Sequence, residues 1–466
     1  MTRRSWILIG GGLALLAAFV ATQVHVSVPS RPKGSIDDLA ALRERGDLNV
    51  VFVLVDTLRA DRLGAYGYKR DTSPTLSEIS ASGVRFARVE AQSSWTKCSM
   101  ASLWTGLFPH RTGVVRFQHG LPETALLPAE IFEEKGYFTA GIWRNGWVGP
   151  NFGFSQGFDL YIQPTQRTDP AGFQRPAPGS QKLAGTDQDV TLAGMEFLNQ
   201  NQSKKFMLYL HYMDVHQYSY DDEAAALGFG SSISDYYDSS IHWVDTNLFA
   251  LLAELDKLDL LKKTLVVVAA DHGEAFREHG NEGHAANLYH EVVSVPLLFM
   301  LPFRLDKELV VEPLVRNVDI WPTILDLTGL PPLPQTDGVS LVPLMQAAAK
   351  GEAAETPRSM AYLDQTWGRI EAEPAPLVSI RNDGQRVLYR PKRPEASEIY
   401  DLALDPRELR NLKKTPPEWA EALETEVESR LEQPVAFGPA TEVKVDDLER
   451  GQLRALGYVI PPGPPK

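Results

Sequence analysis

Asn49–Val55 reads NVVFVLV and is followed by Asp56, and this stretch decides the fold. From Val50 onward it is apolar and largely β-branched, with none of the alternation of a half-exposed strand. It therefore reads as a strand buried on both faces, which is the mark of a parallel sheet. Two further runs repeat the pattern: Phe206–Tyr212 (FMLYLHY), leading to Asp214 and His216, and Thr264–Ala270 (TLVVVAA), ending in Asp271-His272. Carboxylates at the C-terminal ends of central strands lie where open α/β sheets place their ligands. A strand-end Asp also caps the following helix, and Asp56 alone does not separate the two roles.

Working outward, the pattern predicts helices over Ser73–Gly83, Ala125–Lys135, Val190–Asn201, Asp235–Leu258 and Val318–Leu327. Strands are expected at Val84–Val89, Phe138–Trp143 and Ser294–Leu301. Residues 163–190, rich in Pro, Gly, Gln and Asp, form a loop long enough to be a lid or insert. From about Leu377 the pattern changes to short strands with a hairpin turn at Asn382-Asp383-Gly384, and Pro416–Leu431 and Asp446–Gly457 are expected to be helical. The expected organisation is residues 1–34 as export segment and linker, 46–376 as an α/β catalytic domain, 377–412 as a small antiparallel subdomain and 413–466 as a helical tail.

A chain of 466 residues can bury a core that needs no disulfide or structural zinc. Its one cysteine, Cys98, excludes an intrachain disulfide. The net charge of −14 argues against a general nucleic-acid binder. Thr2-Arg3-Arg4 precedes an apolar run from Trp6 to about Val24, so an export signal or uncleaved anchor is expected. Residues 6–24 would then tether a periplasmic or extracytoplasmic protein to the inner membrane unless they are cleaved. No obligate protein partner is evident.

The chemistry centres on Ser94–Arg111, SWTKCSMASLWTGLFPHR. A loop of small residues enters a short helical pattern over Cys98–Trp104, and Thr96 falls near an N-cap position. A hydroxyl at a helix N-terminus faces free backbone N–H groups that favour an anion, although a threonine there often serves only as a cap. Four of the ten histidines fall within His272–His290, and such tracts point to metal or acid–base chemistry. Asp56, Thr96, Asp271 and His272 together make a divalent-cation site, in which a bound cation would lower the pKa of the Thr96 hydroxyl.

Several stretches in order extend this reading: VDTLRADRLGAYGY, TSPTLSEISASGVRF, SWTKCSMASLWTGLFPHRTGV, GYFTAGIW, VVVAADHGEAFREHG, LYHEVVSVPLLF, VDIWPTILDLTGL, DGVSL and EIYDLALDPRELRNL. With them the chain resembles the sulfatase family of the alkaline phosphatase superfamily from about Asn49 to Leu412. The resemblance implies a mostly parallel central sheet with helices on both faces and a small C-terminal antiparallel subdomain. It places the family's metal ligands on Asp56, Asp271 and His272. Counting back ten residues from Gly106 places its nucleophile on Thr96, not on Cys98.

Two departures matter. Sulfatases convert a Cys or Ser in a C/S-x-P/A-x-R motif to formylglycine, but here Thr96 stands at that position and Met100 where the Arg would be. The family's G-K-W-H segment reads Gly141-Ile142-Trp143-Arg144, without the Lys and His that bind sulfate. Asn145 resembles instead the substrate-contacting Asn of the phosphodiesterase branch.

The expected enzyme is thus a metal-dependent hydrolase of an anionic phosphate ester, with one divalent cation (Zn²⁺, Mn²⁺ or Ca²⁺). His216 is its general acid, His279 and His284 bind substrate or activate water, and Lys97, Arg144 and Asn145 contact substrate. His211 and His290 read as structural. The alternatives are a sulfuric ester hydrolase, an envelope phospho-group transferase and a non-catalytic exported binding protein.

Overall fold

The computed structural model describes residues 31–164, 185–218, 227–366 and 372–444. The N-terminal apolar run, most of the 163–190 loop and the expected Asp446–Gly457 helix lie outside these residues. Among the described residues, no helix is long and apolar enough to cross a membrane.

The main strands are β1 (Asn49–Val55), β2 (Val84–Glu90), β3 (Phe138–Ile142), β4 (Leu160–Ile162), β5 (Phe206–Tyr212), β6 (Thr264–Ala269), β7 (Leu297–Met300) and β8 (Leu309–Arg316). They form one eight-stranded sheet in the order β8-β2-β7-β6-β1-β5-β3-β4. All pairings are parallel except those of β7, which runs antiparallel to both β6 and β2. The apolar runs read from sequence are the middle of this sheet: β1 pairs with β5 on one side and β6 on the other, and every residue of the three is buried.

The longer helices among the described residues are α1 (Pro74–Ala81), α2 (Thr96–Thr105), α3 (Pro128–Glu134), α4 (Asp187–Asn201), α5 (Ile233–Lys257), α6 (Ile320–Leu327), α7 (Val342–Lys350) and α8 (Trp419–Leu431). Successive side chains of β1 serve opposite faces of the sheet. On one face Phe52 packs against Tyr209 of β5, Trp104 of α2 and Trp321 of α6, with ring centroids 5.1–6.0 Å apart. On the other, Val55 lines a small apolar cavity together with Ile241, Val244 and Leu248 of α5. Helices thus cover both faces, as the sequence predicts.

A second, antiparallel sheet joins β9 (Ser359–Asp364), β10 (Pro376–Arg381), β11 (Gln385–Tyr389) and β12 (Glu398–Asp401) in that order. The hairpin at residues 382–384 is where the sequence puts it. The sheet nevertheless begins before residue 377, because Ser359–Asp364 pairs along its whole length with β10. Helix α8 closes this subdomain, burying Ala420, Leu423 and Val427 against Val378, Ile380 and Val387.

Candidate active site

The ends of β1, β3, β5 and β6 and the start of α2 converge. Asp56 follows β1, Asn145 follows β3, His211 lies near the end of β5, and Asp271-His272 follows β6. Trp95 is the N-cap of α2 and Thr96 its first helical residue, so Thr96 is not itself the cap. The helix ends at Gly106, whose φ of +68° is the left-handed conformation that glycine adopts without cost. Asp56, Thr96, Asn145, His211, Asp271 and His272 are all fully buried.

The hydrogen bonds divide each carboxylate in two. Asp56 Oδ2 accepts from Asn145 Nδ2 at 2.6 Å and from His211 Nε2 at 3.1 Å. Asp271 Oδ1 accepts from the backbone N–H of Thr57 at 3.3 Å and of His272 at 3.0 Å. Asp56 Oδ1 and Asp271 Oδ2, by contrast, have no hydrogen-bond partner among the described residues. Thr57 sits at φ +59°, a strained conformation for a β-branched residue, and this turn aims its N–H at Asp271.

His272 faces the same point. Its Nδ1 lies 3.0 Å from the carbonyl of Gly273, which can only accept, so Nδ1 carries the hydrogen. The Nε2 lone pair then looks towards Asp271 Oδ2 at 3.4 Å, Asp56 Oδ1 at 3.8 Å and Thr96 Oγ1 at 3.3 Å. Two carboxylate oxygens and an imidazole lone pair facing one another would repel, unless a cation sits between them. One donor atom from each of Asp56, Asp271 and His272 lies within 4.8 Å of the others, and the three residues fit a metal ion.

The acidities agree. Burial alone would raise the Asp56 carboxyl, but the hydrogen bond from His211 and the neighbouring imidazoles hold it below the usual range. Burial and the charge of Asp56 push Asp271 well up. The pair cannot both ionise comfortably without positive charge between them.

Around this centre, Asn145 Nδ2 also donates to Thr96 Oγ1 at 3.1 Å. The rings of His272 and His284 are 4.6 Å apart and those of His284 and His216 4.9 Å, which brings both sequence-predicted histidines beside the cluster. Burial lowers His216 to about 4 and His284 to about 3, so both imidazoles are neutral at pH 7. His284 Nδ1 lies 3.2 Å from Glu274 Oε2, and burial raises Glu274 to about 7.

Three of the expected substrate contacts are engaged elsewhere. Lys97 is fully buried: its Nζ donates to the carbonyl of Phe117 and lies 4.0 Å from the ring of Phe152 and 4.6 Å from that of Trp147. Burial lowers its pKa well below that of an ordinary lysine, and an aromatic cage takes the place of an anion. Arg144 is held between Asp187 Oδ1 at 2.7 Å and Asp214 Oδ1 at 2.5 Å. His279 belongs to another cluster, 2.8 Å from Glu291 Oε1 and stacked on Tyr289.

His211 corrects the sequence reading in the opposite direction. Within an apolar run it reads as a structural residue, yet it bonds Asp56, and its Nδ1 is 2.7 Å from Tyr209 Oη. Glu274 is likewise absent from the sequence-derived set. A charged residue two positions beyond Asp271-His272 is the signal that could have found it. Cys98 is buried with its Sγ towards the carbonyl of Tyr362, and burial pushes its thiol up to about 12, so it is no nucleophile at neutral pH.

A family model described as "Sulfatase" matches residues 48–330, more than half of the 466-residue chain. The chain belongs to the sulfatase family. A second model, "N-sulphoglucosamine sulphohydrolase, C-terminal", matches residues 279–436 of this sulfatase-family chain. Arylsulfatase K of Mus musculus is 25% identical over 83% of the chain and 80% of its own length. Arylsulfatase A of Homo sapiens is 26% identical over 89% of the chain and 93% of its own length. The solved phosphonate monoester hydrolase of Agrobacterium radiobacter superposes with a TM-score of 0.62 at 20% identity, covering 82% of this chain and 95% of that one. This last likeness bears on the fold alone. As a member of the sulfatase family, the protein is an ester hydrolase.

Proposed function

We propose that the protein is a metal-dependent hydrolase that cleaves a phosphate mono- or diester through Thr96. One observation carries the reading. Thr96 Oγ1, not the Cys98 thiol, lies 3.3 Å from His272 Nε2 and 3.1 Å from Asn145 Nδ2, beside the paired Asp56 and Asp271. A divalent cation held by Asp56, Asp271 and His272 would supply the positive charge that lowers the pKa of the Thr96 hydroxyl and offsets charge on the ester oxygens.

The chain's own groups account for the rest. The Thr96 alkoxide, its proton already lost to solvent, forms a bond to phosphorus as the bond to the leaving oxygen breaks, giving a phosphothreonine. Asn145, which already donates to Thr96 Oγ1, is in reach of an oxygen bound there. His216 protonates the leaving oxygen. Because burial holds its imidazole near 4, the negative charge of the substrate must be in place before it carries that proton. Water, deprotonated by His284, then attacks phosphorus and expels the Thr96 alkoxide, releasing phosphate from a monoester or a phosphate monoester from a diester. Glu274 orients His284 for this step. In this reading Lys97, Arg144 and His279 support the fold around the site. The N-terminal apolar segment exports or tethers the enzyme, and nucleic acid is no substrate.

A second reading is a sulfuric ester hydrolase, and the names of the arylsulfatase relatives favour it. The two part experimentally. Purified full-length protein, its Thr96→Ala variant and its Cys98→Ala variant are compared on aryl phosphate, a bis-aryl phosphate and aryl sulfate. Thr96→Ala is expected to lower phosphoester kcat by at least ~10³-fold, as removal of a nucleophile does, with Cys98→Ala near wild type. Faster turnover of the sulfate, or a dead Cys98→Ala variant, overturns the phosphoester reading.

A further inference from the structure

The buried chain Tyr209–His211–Asp56 joins the middle of the sheet to the candidate metal centre. His211 Nε2 lies 3.1 Å from Asp56 Oδ2, a carboxylate oxygen that accepts, so Nε2–H is the donor. The other ring nitrogen, Nδ1, then accepts from the Tyr209 hydroxyl at 2.7 Å. Burial pushes the Tyr209 phenol well above its ordinary pKa, so it keeps that hydrogen. Asn145 donates to the same Asp56 oxygen at 2.6 Å, which leaves Oδ2 with two hydrogen bonds and no lone pair to spare. Asp271 has the same arrangement from the backbone, its Oδ1 being filled by the N–H groups of Thr57 and His272.

Each carboxylate can therefore give a metal one oxygen, Asp56 Oδ1 and Asp271 Oδ2, and His272 gives one nitrogen. We propose that His211, braced by Tyr209, is a positioning residue that restricts Asp56 to single-oxygen ligation, and that this restriction selects a small first-row divalent cation over Ca²⁺. The inference rests on the metal reading given above. Ca²⁺ is satisfied by six to eight oxygens, often from carboxylates that bind through both atoms, whereas Mn²⁺ and Zn²⁺ accept a mixed nitrogen–oxygen set of few donors. Donors behind the ligands commonly alter metal affinity by 10- to 100-fold.

The test reads metal binding without turnover. Full-length protein is stripped with a chelator and titrated with MnCl₂, ZnCl₂ or CaCl₂, following heat and thermal unfolding, for wild type, His211→Gln and Tyr209→Phe. Wild type should bind Mn²⁺ and Zn²⁺ more tightly than Ca²⁺. His211→Gln should weaken Mn²⁺ binding by about 10- to 100-fold and narrow the Mn²⁺/Ca²⁺ ratio, because Asp56 Oδ2 loses the braced one of its two donors and gains a lone pair for the metal. Tyr209→Phe should do the same to a smaller degree, and it carries the test alone if His211→Gln does not fold. A wild-type preference for Ca²⁺, unchanged Mn²⁺ affinity in both variants, or equal losses for Mn²⁺ and Ca²⁺ overturns the proposal. Wild type that binds no ion removes the metal reading itself, whereas binding that ignores His211 removes only this step.

Discussion

The chain builds two clusters of carboxylates and histidines, and the segment from Asp271 to Glu291 contributes to both. In the first, Asp56 Oδ1, Asp271 Oδ2 and the His272 Nε2 lone pair are acceptors facing acceptors. In the second, His290, Glu291 and Glu408 come as close together as the first three do, but the charges are met. Glu408 Oε1 accepts from Arg386 at 2.7 Å, and Glu90 Oε1 lies 3.1 Å from the same guanidinium. Glu291 Oε1 faces His279 Nδ1 at 2.8 Å, while His279 Nε2 faces the carbonyl of Glu408 at 3.1 Å. With an acceptor on each side both ring nitrogens of His279 are placed to donate; burial works against its charged form, but Glu291 raises its pKa. The same residue types thus give a gap for a cation in one place and a finished ionic lock in the other. What separates them is the guanidinium of Arg386 and the ring of His279, which set basic groups among the carboxylates of the second cluster.

Removing one carboxylate from each cluster should break this contrast most sharply. Asp56→Asn is expected to abolish bound metal and lower kcat/KM by at least ~10³-fold. Glu291→Gln should leave metal content unchanged and lower only the melting temperature. Elemental analysis alongside kinetics checks both, and metal loss in Glu291→Gln would erase the distinction.

Next in size is Arg386→Met, which strands Glu90 and Glu408 without their buried partner. It should cost about 3–5 kcal/mol in denaturant unfolding with turnover per folded molecule retained.

The pH dependence sharpens the same lock. Burial would raise Glu408, but Arg386 and His290 bring it down to about 2, below the ordinary glutamate value of 4.5. The folded state therefore binds fewer protons, and this stabilisation, about 3 kcal/mol, is present above pH 4.5 and lost as the pH falls towards 2. His279 acts with the opposite sign: its raised pKa stabilises fully below 6.5 and is lost as the pH rises through the folded value. Unfolding of wild type and Arg386→Met followed from pH 2 to 9 should show the acid limb flattened in the variant.

The smallest effect is expected at Lys97. Lys97→Met keeps the volume inside the aromatic cage and removes a buried amine, so stability should change by no more than about 1 kcal/mol, with activity kept. A large rise in KM would instead return Lys97 to the substrate.

The sequence is most readable where one local rule suffices. Strands β1, β5 and β6 show in their unbroken apolar runs, and Asp56, Asp271 and His272 show because they follow such runs directly. What depends on distant partners is hidden. His211 looks like any strand residue until Asp56, 155 positions earlier, is brought beside it. Strand β7 is apolar in either direction, so its reversal is invisible, and β8 (LVVEPLVR) is disguised by Glu312 and Pro313 at its bulge. Lys97 and Arg144 stand beside site residues in the chain and look like anion binders. Their side chains instead turn into a cage of rings and a pair of aspartates, which adjacency does not reveal.

The sheet order has a consequence for how the protein is made. Strand β1 leaves the ribosome before the other strands of its sheet, and its neighbour β6, which brings Asp271 and His272, follows more than two hundred residues later. At about 5–20 residues per second, Asp56 waits on the order of 10–40 s for its partners. No nascent fragment ending before β6 can gather the three ligands, so capture of a metal ion would report that translation has passed His272 and that the middle of the sheet has closed.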